Sequence, residues 1–367
     1  MNTKVGTKGM SMTLNGQRTQ LLLASSFGWL GLLRNRQYTK ARKWLRRMKA
    51  IGCHGIRVFG EYKDWEHNFF FSQVAPLYDV WDWEVPRGSL VQINKQNARV
   101  LRRAVEMLRE EDMIMEYVVS ATAKALPLFP GFQDHMCRAV AQFFQAEWPR
   151  GDHNTYFEIS NEYDVTRQVQ LTSAEIRDIG RRWRVARPEN NGAADNPGAL
   201  LSISEGGEGA GKWDIEYPVE TLSHVNIHSP RGHDWTNVAP EIKRFKSKYR
   251  KPICLNENMH FMTHEQWEEW IPQIPGWAGL STTNAKAVLK QCQNARSAGA
   301  AVYCLHFMTG MLTDPDLPIT EVERLFQRVY GPEEQALPPI PGPDPIEERL
   351  NALEKLIAIL LKALKDL

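Results

Sequence analysis

A carboxyl group held at the end of a buried strand is half out of water. That environment raises its pKa and suits it to donate a proton. Segment 155–164 has this form. Tyr156, Phe157 and Ile159 are large and β-favouring, turn formers precede them, and the apolar run stops at Asn161 and Glu162. Segment 251–258 repeats it. Lys251 and Pro252 lead into Ile253, Cys254 and Leu255, and the run ends at Asn256 and Glu257. Either glutamate alone reads equally well as a solvated side chain at a strand end. Together they are two carboxylates delivered by the carboxyl ends of two buried strands. In a parallel α/β barrel all such ends open on one face, where the active sites lie. Two carboxylates on one face are the minimum for glycoside hydrolysis.

The elements that must position these residues alternate along the chain. A hairpin is expected around Asn15 and Gly16 within 12–20. Strands are expected at 21–25, 55–59, 113–119, 155–160, 200–204, 225–228, 251–257 and 300–306. Helical spacing marks 38–51, where Ala41, Trp44, Leu45 and Met48 share a face, and then 94–111, 132–146, 173–186, 238–249, 283–298 and 319–330. Eight strands alternating with helices select an α/β fold, the (β/α)8 TIM barrel, with the hairpin before it. Arg57 lies inside the second strand. A cation there is costly unless it is paired, so Arg57 is either half of a structural ion pair or part of the site.

The two motifs resemble those of the retaining glycoside hydrolases of clan A, the cellulase-type (β/α)8 superfamily. In that family an acid/base Glu follows an Asn at the end of the fourth strand, as Glu162 follows Asn161 here. The nucleophile ends the seventh strand, often after a Lys-Pro-aliphatic start, which Lys251, Pro252 and Glu257 match. The likeness spans about residues 10–331. It implies that Arg57 lies beneath Glu257 and keeps it ionised, that Asn161 holds the sugar 2-hydroxyl, and that His228, at the end of the sixth strand, touches the nucleophile or the sugar. It also implies an opening ribbon across the barrel floor. The chain departs from the family at two points. Pro230 stands where a Tyr often follows that His, and His306 and Phe307 stand where a Trp often floors the sugar site. His306 is therefore a candidate for sugar contact, as is Trp277, which follows Glu257 with Trp267 and Trp270.

Long loops are usually functional or disordered, and 60–92 is too aromatic for disorder, with Trp65, Phe69, Phe70, Phe71, Tyr78, Trp81 and Trp83. It follows a strand on the expected active face. Its rings either stack on sugar or form a small core of their own. At the other end, the prolines of 334–345 make a stiff spacer between a barrel over 1–333 and a helix over 346–367. Ile346, Leu350, Leu353, Ile357, Leu360, Leu364 and Leu367 form a heptad seam, widened by Leu356, Ile359 and Leu361. Such a coiled-coil-like helix is expected to self-associate, as a trimer or tetramer; docking on its own barrel or on a membrane surface are the other readings.

Composition narrows the classes. The chain has 367 residues, 43% of them hydrophobic, and a net charge of +2, so no nucleic-acid partner is indicated. Arg46–Arg47 and Arg181–Arg182 read as solvated helix faces. The five cysteines (53, 137, 254, 292 and 304) lack metal-ligand spacing and read as reduced core residues. His224, His228 and His233 do not share a helix face, so no metal and no cofactor is expected. No signal-peptide core appears in 1–20 and no apolar run reaches membrane-spanning length before the C-terminal segment; a cytoplasmic or virion-associated protein is expected, without a membrane partner. Three functions fit in different degrees. The first is a retaining β-glycosidase with Glu162 as acid/base and Glu257 as nucleophile, their carboxyls about 5–5.5 Å apart, acting on a carbohydrate substrate. The second is an inactive multimeric carbohydrate-binding or structural protein, such as a phage appendage, on the same barrel. The third, a metal-dependent hydrolase, lacks ligand spacing.

Overall fold

A computed structural model describes residues 3–60, 93, 95–120, 132–149, 153–160, 173–185, 200–202, 221–228, 236–257, 282–305, 313–316 and 319–332. The chain opens with a small antiparallel sheet, β1 (Val5–Lys8), β2 (Ser11–Leu14) and β3 (Gln17–Arg18). Asn15 and Gly16 both have positive φ, 53° and 80°, the pairing that a tight two-residue hairpin turn requires. Asn15 Oδ1 also accepts the Lys4 amide at 2.8 Å.

Eight parallel strands follow: β4 (Leu21–Ser26), β5 (Gly55–Phe59), β6 (Ile114–Ser120), β7 (Thr155–Ser160), β8 (Leu201–Ser202), β9 (Val225–His228), β10 (Ile253–Glu257) and β11 (Val302–Leu305). They pair in the order β8-β7-β6-β5-β4-β11-β10-β9. The remaining seam is bridged ahead of β9, where the Ser223 amide donates to the Leu201 carbonyl at 2.8 Å and the Leu201 amide donates to Ser223 Oγ at 3.3 Å. The ring is a (β/α)8 barrel.

Helices α1 (Trp29–Arg34), α2 (Tyr38–Ala50), α3 (Lys95–Glu110), α4 (Phe132–Glu147), α5 (Ser173–Val185), α6 (Ala239–Tyr249), α7 (Thr282–Ser297) and α8 (Glu321–Tyr330) alternate with the strands. Most ends fall within two residues of the positions the sequence predicts. The short α1 was not expected. It starts where Ser26 Oγ accepts the Trp29 amide at 3.1 Å, and it is pinned to α2 by Trp29 Nε1 donating to the Ala41 carbonyl at 3.1 Å.

Strand alternation sorts the core into two bodies. Leu22, Ala24, Ile56, Val58, Met115, Tyr117, Phe157, Ile227, Leu255 and Tyr303 face the helices and join the larger cluster with Trp44, Leu45, Leu101, Leu108 and Phe326. Their neighbours Leu21, Leu23, Ile114, Tyr156, Cys254, Val302 and Cys304 face the lumen and pack with Val5 and Met12 of the opening sheet. The hairpin therefore plugs the barrel floor, as the resemblance implies. Because both faces of each strand are buried, the strands read as nearly continuous apolar runs. Each large side chain so buried contributes roughly 1.5–3 kcal/mol.

The last helix is tied to the first full one. Thr320 caps α8 with its hydroxyl on the Glu323 amide, while Glu323 Oε2 accepts the Thr320 amide at 2.7 Å. The same carboxylate takes Arg47 Nε and Nη2 at 2.5 and 2.8 Å, and Arg47 Nη1 donates to the Pro315 carbonyl at 3.1 Å. Arg47 is thus buried and paired, which corrects its reading as part of a solvated face. The sequence period could not separate Arg47 from Arg46, which is exposed and pairs with Glu111 at 3.1 Å. Arg181 is exposed beside Asp178. All five cysteines are buried free thiols.

Candidate active site

The carboxyl ends of the strands define the mouth of the barrel. β7, the fourth barrel strand, ends at Ser160, directly before Asn161 and Glu162. β10, the seventh, ends at Glu257 itself. β11 ends at Leu305, directly before His306. The side chain of Glu257 lies outside the described residues, as do Asn161, Glu162, Trp277 and His306, the aromatic loop 61–92 and everything from 333 onward. What the structure does describe is the seat on which these residues stand.

β10 carries an irregularity near its tip. Cys254 pairs with Asn226 and Leu255 with Ile227, but the next partner of β9, His228, pairs with Glu257 rather than Asn256. A bulge sets two residues against one and re-aims the chain after it. His228 is 2% exposed and alternates with the lumen residue Asn226. The register therefore sets Glu257 opposite a buried lumen-side histidine.

Below the mouth the lumen is polar. Arg57 on β5 is fully buried and donates from Nε and Nη2 to Glu158 Oε2 on β7, at 3.1 and 2.9 Å. Its Nε lies 4.0 Å from Glu116 Oε2 on β6. The guanidinium sits 4.7 Å from the Phe59 ring centroid, and Phe59 stacks on Phe27 at 4.6 Å. Glu116 Oε1 accepts two amide hydrogen bonds, from Asn226 Nδ2 at 2.8 Å and Asn256 Nδ2 at 2.9 Å. Asn226 Nδ2 also reaches Ser202 Oγ at 2.8 Å, and Asn256 Nδ2 reaches Glu158 Oε2 at 3.3 Å. Five strands beside β5 thus contribute to one closed layer. The cost of burying Arg57 is met by Glu158 and the nearby Glu116, two carboxyls that the sequence reading did not use.

Electrostatics follow from the charge count. Among the described residues one buried guanidinium faces two buried carboxyls. Burial, then the Glu158 charge, push the Glu116 carboxyl up to about 7, against the pull of Arg57 and the two amides. Burial first, then Glu116, push the Tyr156 hydroxyl well above its usual range, and burial does the same for the Cys254 thiol. At the floor, His224 is fully buried, edge-on to Tyr156 at 5.3 Å, and burial lowers it to about 3, helped by Lys251. Both of its ring nitrogens are without hydrogen bonds.

Arg57 and His228, singled out in the sequence, are both buried on the lumen side. Sequence reasoning missed Glu116, Glu158, Asn226 and Asn256. The signal was present: each is a polar residue at an alternate position of an apolar strand, as Arg57 is. Among the described residues, no group of three or more His, Cys, Asp or Glu is placed to hold a metal ion, and no helix is long and apolar enough to cross a membrane.

No protein-family model matches the chain, and no curated protein matches its sequence. Solved structures do match its fold. A candidate glycoside hydrolase of Bacteroides vulgatus superposes with a TM-score of 0.57 at 13% identity, covering 89% of this chain and 60% of that one. The exo-β-1,4-mannosidase Op5Man5 of Opitutaceae bacterium strain TAV5 gives 0.53 at 14% identity, covering 86% and 60%. The endo-1,4-β-mannanase of Rhizomucor miehei gives 0.53 at 12% identity, covering 89% and 99%. The chain spans about 60% of the length of the first two. At these identities the likeness establishes the barrel fold.

Proposed function

We propose that the chain is a retaining glycoside hydrolase that cleaves β-glycosidic bonds of an oligo- or polysaccharide by double displacement. The observation that supports this reading is where two parallel barrel strands stop: β7 ends at Ser160, one residue before the Asn161-Glu162 pair in the sequence, and β10 ends at Glu257. Three solved glycosidases or candidate glycosidases with the same fold support it.

In the first step the Glu257 carboxylate attacks the anomeric carbon while Glu162 gives its proton to the departing glycosidic oxygen. In the second, Glu162 takes a proton from water, and the water oxygen displaces Glu257 from the sugar. Asn161 holds the sugar 2-hydroxyl, where a bond that tightens at the transition state counts most. His228, Trp277 and His306 contact the sugar. Arg57 supplies positive potential beneath Glu257 and keeps it ionised. Residues 1–333 form the catalytic barrel, and 346–367 gather copies through the spacer 334–345.

The test is reducing-end release from a panel of soluble β-glycans, wild type against Glu257→Gln. β-1,4-mannan heads the panel, because two of the three neighbours are named for β-1,4-mannosidic linkages. Release by wild type and none by the variant is the expected result. Pro230 and His306, which stand where clan A has Tyr and Trp, favour a second reading, a barrel that binds glycan without cleaving it. Silence from both proteins, with wild type retained on a glycan affinity gel, selects that reading.

A further inference from the structure

Among the described residues, the polar layer beneath the mouth has more carboxyl than cation. Arg57 bonds Glu158 directly, whereas Glu116 accepts from two neutral amides and has the Tyr156 hydroxyl beside it, with Arg57 Nε 4.0 Å away. Glu116 Oε2 has no hydrogen-bond partner, and neither has Glu158 Oε1. The groups that face Glu116 are Arg57 from β5, Tyr156 and Glu158 from β7, Asn226 from β9, and Cys254 and Asn256 from β10. Of these only Arg57 is cationic. With both carboxyls ionised the described buried side chains would carry a net negative charge; with one proton they are neutral. Two buried carboxyls in such a layer favour sharing a proton. The layer also reaches the reaction site through one residue. Asn256 spends its single amide nitrogen on both carboxyls, and it is the extra residue of the bulge that sets Glu257 opposite His228.

We propose that Glu116 and Glu158 are positioning residues for Glu257: between them they hold one proton and one negative charge against Arg57, and the Asn256 amide that spans both carboxyls fixes the bulge carrying Glu257. This rests on Glu257 as the nucleophile. Arg57 bonds Glu158 and stands 4.0 Å from Glu116, so Glu116 is where the proton resides. When Glu116 loses that proton, a second negative charge appears below the nucleophile and draws the Asn256 amide away from Glu158. Glu257 is then both displaced and harder to keep ionised. The high-pH decline of the glycosylation step belongs to Glu116 as well as to the acid Glu162.

Two measurements separate this proposal from the function it rests on. The first needs no substrate. Infrared difference spectra of the unliganded protein, titrated through neutral pH, report the carbonyl stretch of a protonated carboxyl. Wild type should lose such a band near pH 7, and Glu116→Gln should lack it. The same band in both proteins, or none in wild type at pH 6, overturns the shared proton. The second measures covalent trapping by 2,4-dinitrophenyl 2-deoxy-2-fluoro-β-mannoside, and by the glucoside. Dinitrophenolate leaves without a proton from Glu162, so that group drops out of the pH profile. Trapping by wild type should fall about tenfold between pH 6 and pH 8, as a group near 7 ionises. Glu116→Gln should show no such fall, and Glu158→Gln should trap slowly at every pH with little change in apparent affinity. A fall in Glu116→Gln equal to that in wild type overturns the positioning role. If neither glycoside labels wild type while the infrared band behaves as expected, the glycosidase reading fails and the buried proton stands.

Discussion

Replacing Glu116 by glutamine should stabilise the protein at pH 8 relative to pH 5, and the size of the effect follows from the layer. The folded-state pKa of about 7 lies above the ordinary 4.5. Between those values the folded chain keeps a proton that the unfolded chain releases, so stability falls as pH rises through the window. At 1.36 kcal/mol per pKa unit, the full difference amounts to about 3 kcal/mol by pH 8. Glutamine mimics the neutral acid and has no such decline. Roughly 1 kcal/mol of this is already lost at pH 5, so the change from pH 5 to pH 8, spread over the unfolding entropy of a 367-residue chain, becomes a melting-temperature gain for the variant of about 3 °C. His224 supplies an internal control with the opposite sign. Its folded pKa of about 3 lies below 6.5, so the unfolded chain binds a proton that the folded chain refuses, and stability rises from pH 3 to 6.5. In wild type the two slopes oppose each other between 4.5 and 6.5. In Glu116→Gln the His224 slope, joined by that of His54, whose pKa burial also lowers, is no longer opposed by Glu116, and the melting temperature should climb. Scanning calorimetry of both proteins from pH 4.5 to 8 reads this directly. A difference between the two that does not change with pH would mean that Glu116 is ionised in the folded protein throughout, and the reasoning about the layer would be wrong.

Two further outcomes concern the frame rather than the lumen. Glu323→Gln should cost about 3–5 kcal/mol in urea unfolding, because it strands the buried Arg47 guanidinium and weakens the cap of α8; a loss under 1 kcal/mol would mean the pair is not what ties α8 to α2. Removing 334–367 should convert an oligomer to a monomer by light scattering while hydrolysis of a soluble glycan persists; an unchanged mass would place self-association elsewhere.

Much of the frame was legible because it depends on periodicity. Short apolar runs between helically spaced segments located all eight barrel strands, and Asn15–Gly16 located the hairpin, since few other dipeptides accept two consecutive positive φ values. The short α1 was not legible. Six residues carry less than two turns of pattern, and its stability comes from Ser26 and from the indole of Trp29 reaching α2. Arg47 misled for a related reason: helical spacing says which residues share a face, and only the approach of α8 from the far end of the chain makes that part of the face an interior.

The site teaches the sharper lesson. Arg57 drew notice because a cation in an apolar strand demands a partner, in a structural ion pair or at the site, yet neither reading named Glu116 or Glu158 as that partner. Glu116 and Glu158 sit mid-strand between aromatic and aliphatic neighbours, and by the same physical rule each was as conspicuous as Arg57. Once the eight strands are wrapped with their register fixed, alternate residues of β5, β6 and β7 must share one lumen. Arg57 pairs across β6 with Glu116 in the ladder, and Glu116 lies beside Tyr156, one step from Glu158. A charge in the middle of one barrel strand therefore predicts counter-charges at the same height in its neighbours. What sequence could not supply is the imbalance. Two carboxyls and two amides against one guanidinium is a property of the closed ring, and it is this imbalance, transmitted through Asn256, that connects the barrel interior to Glu257.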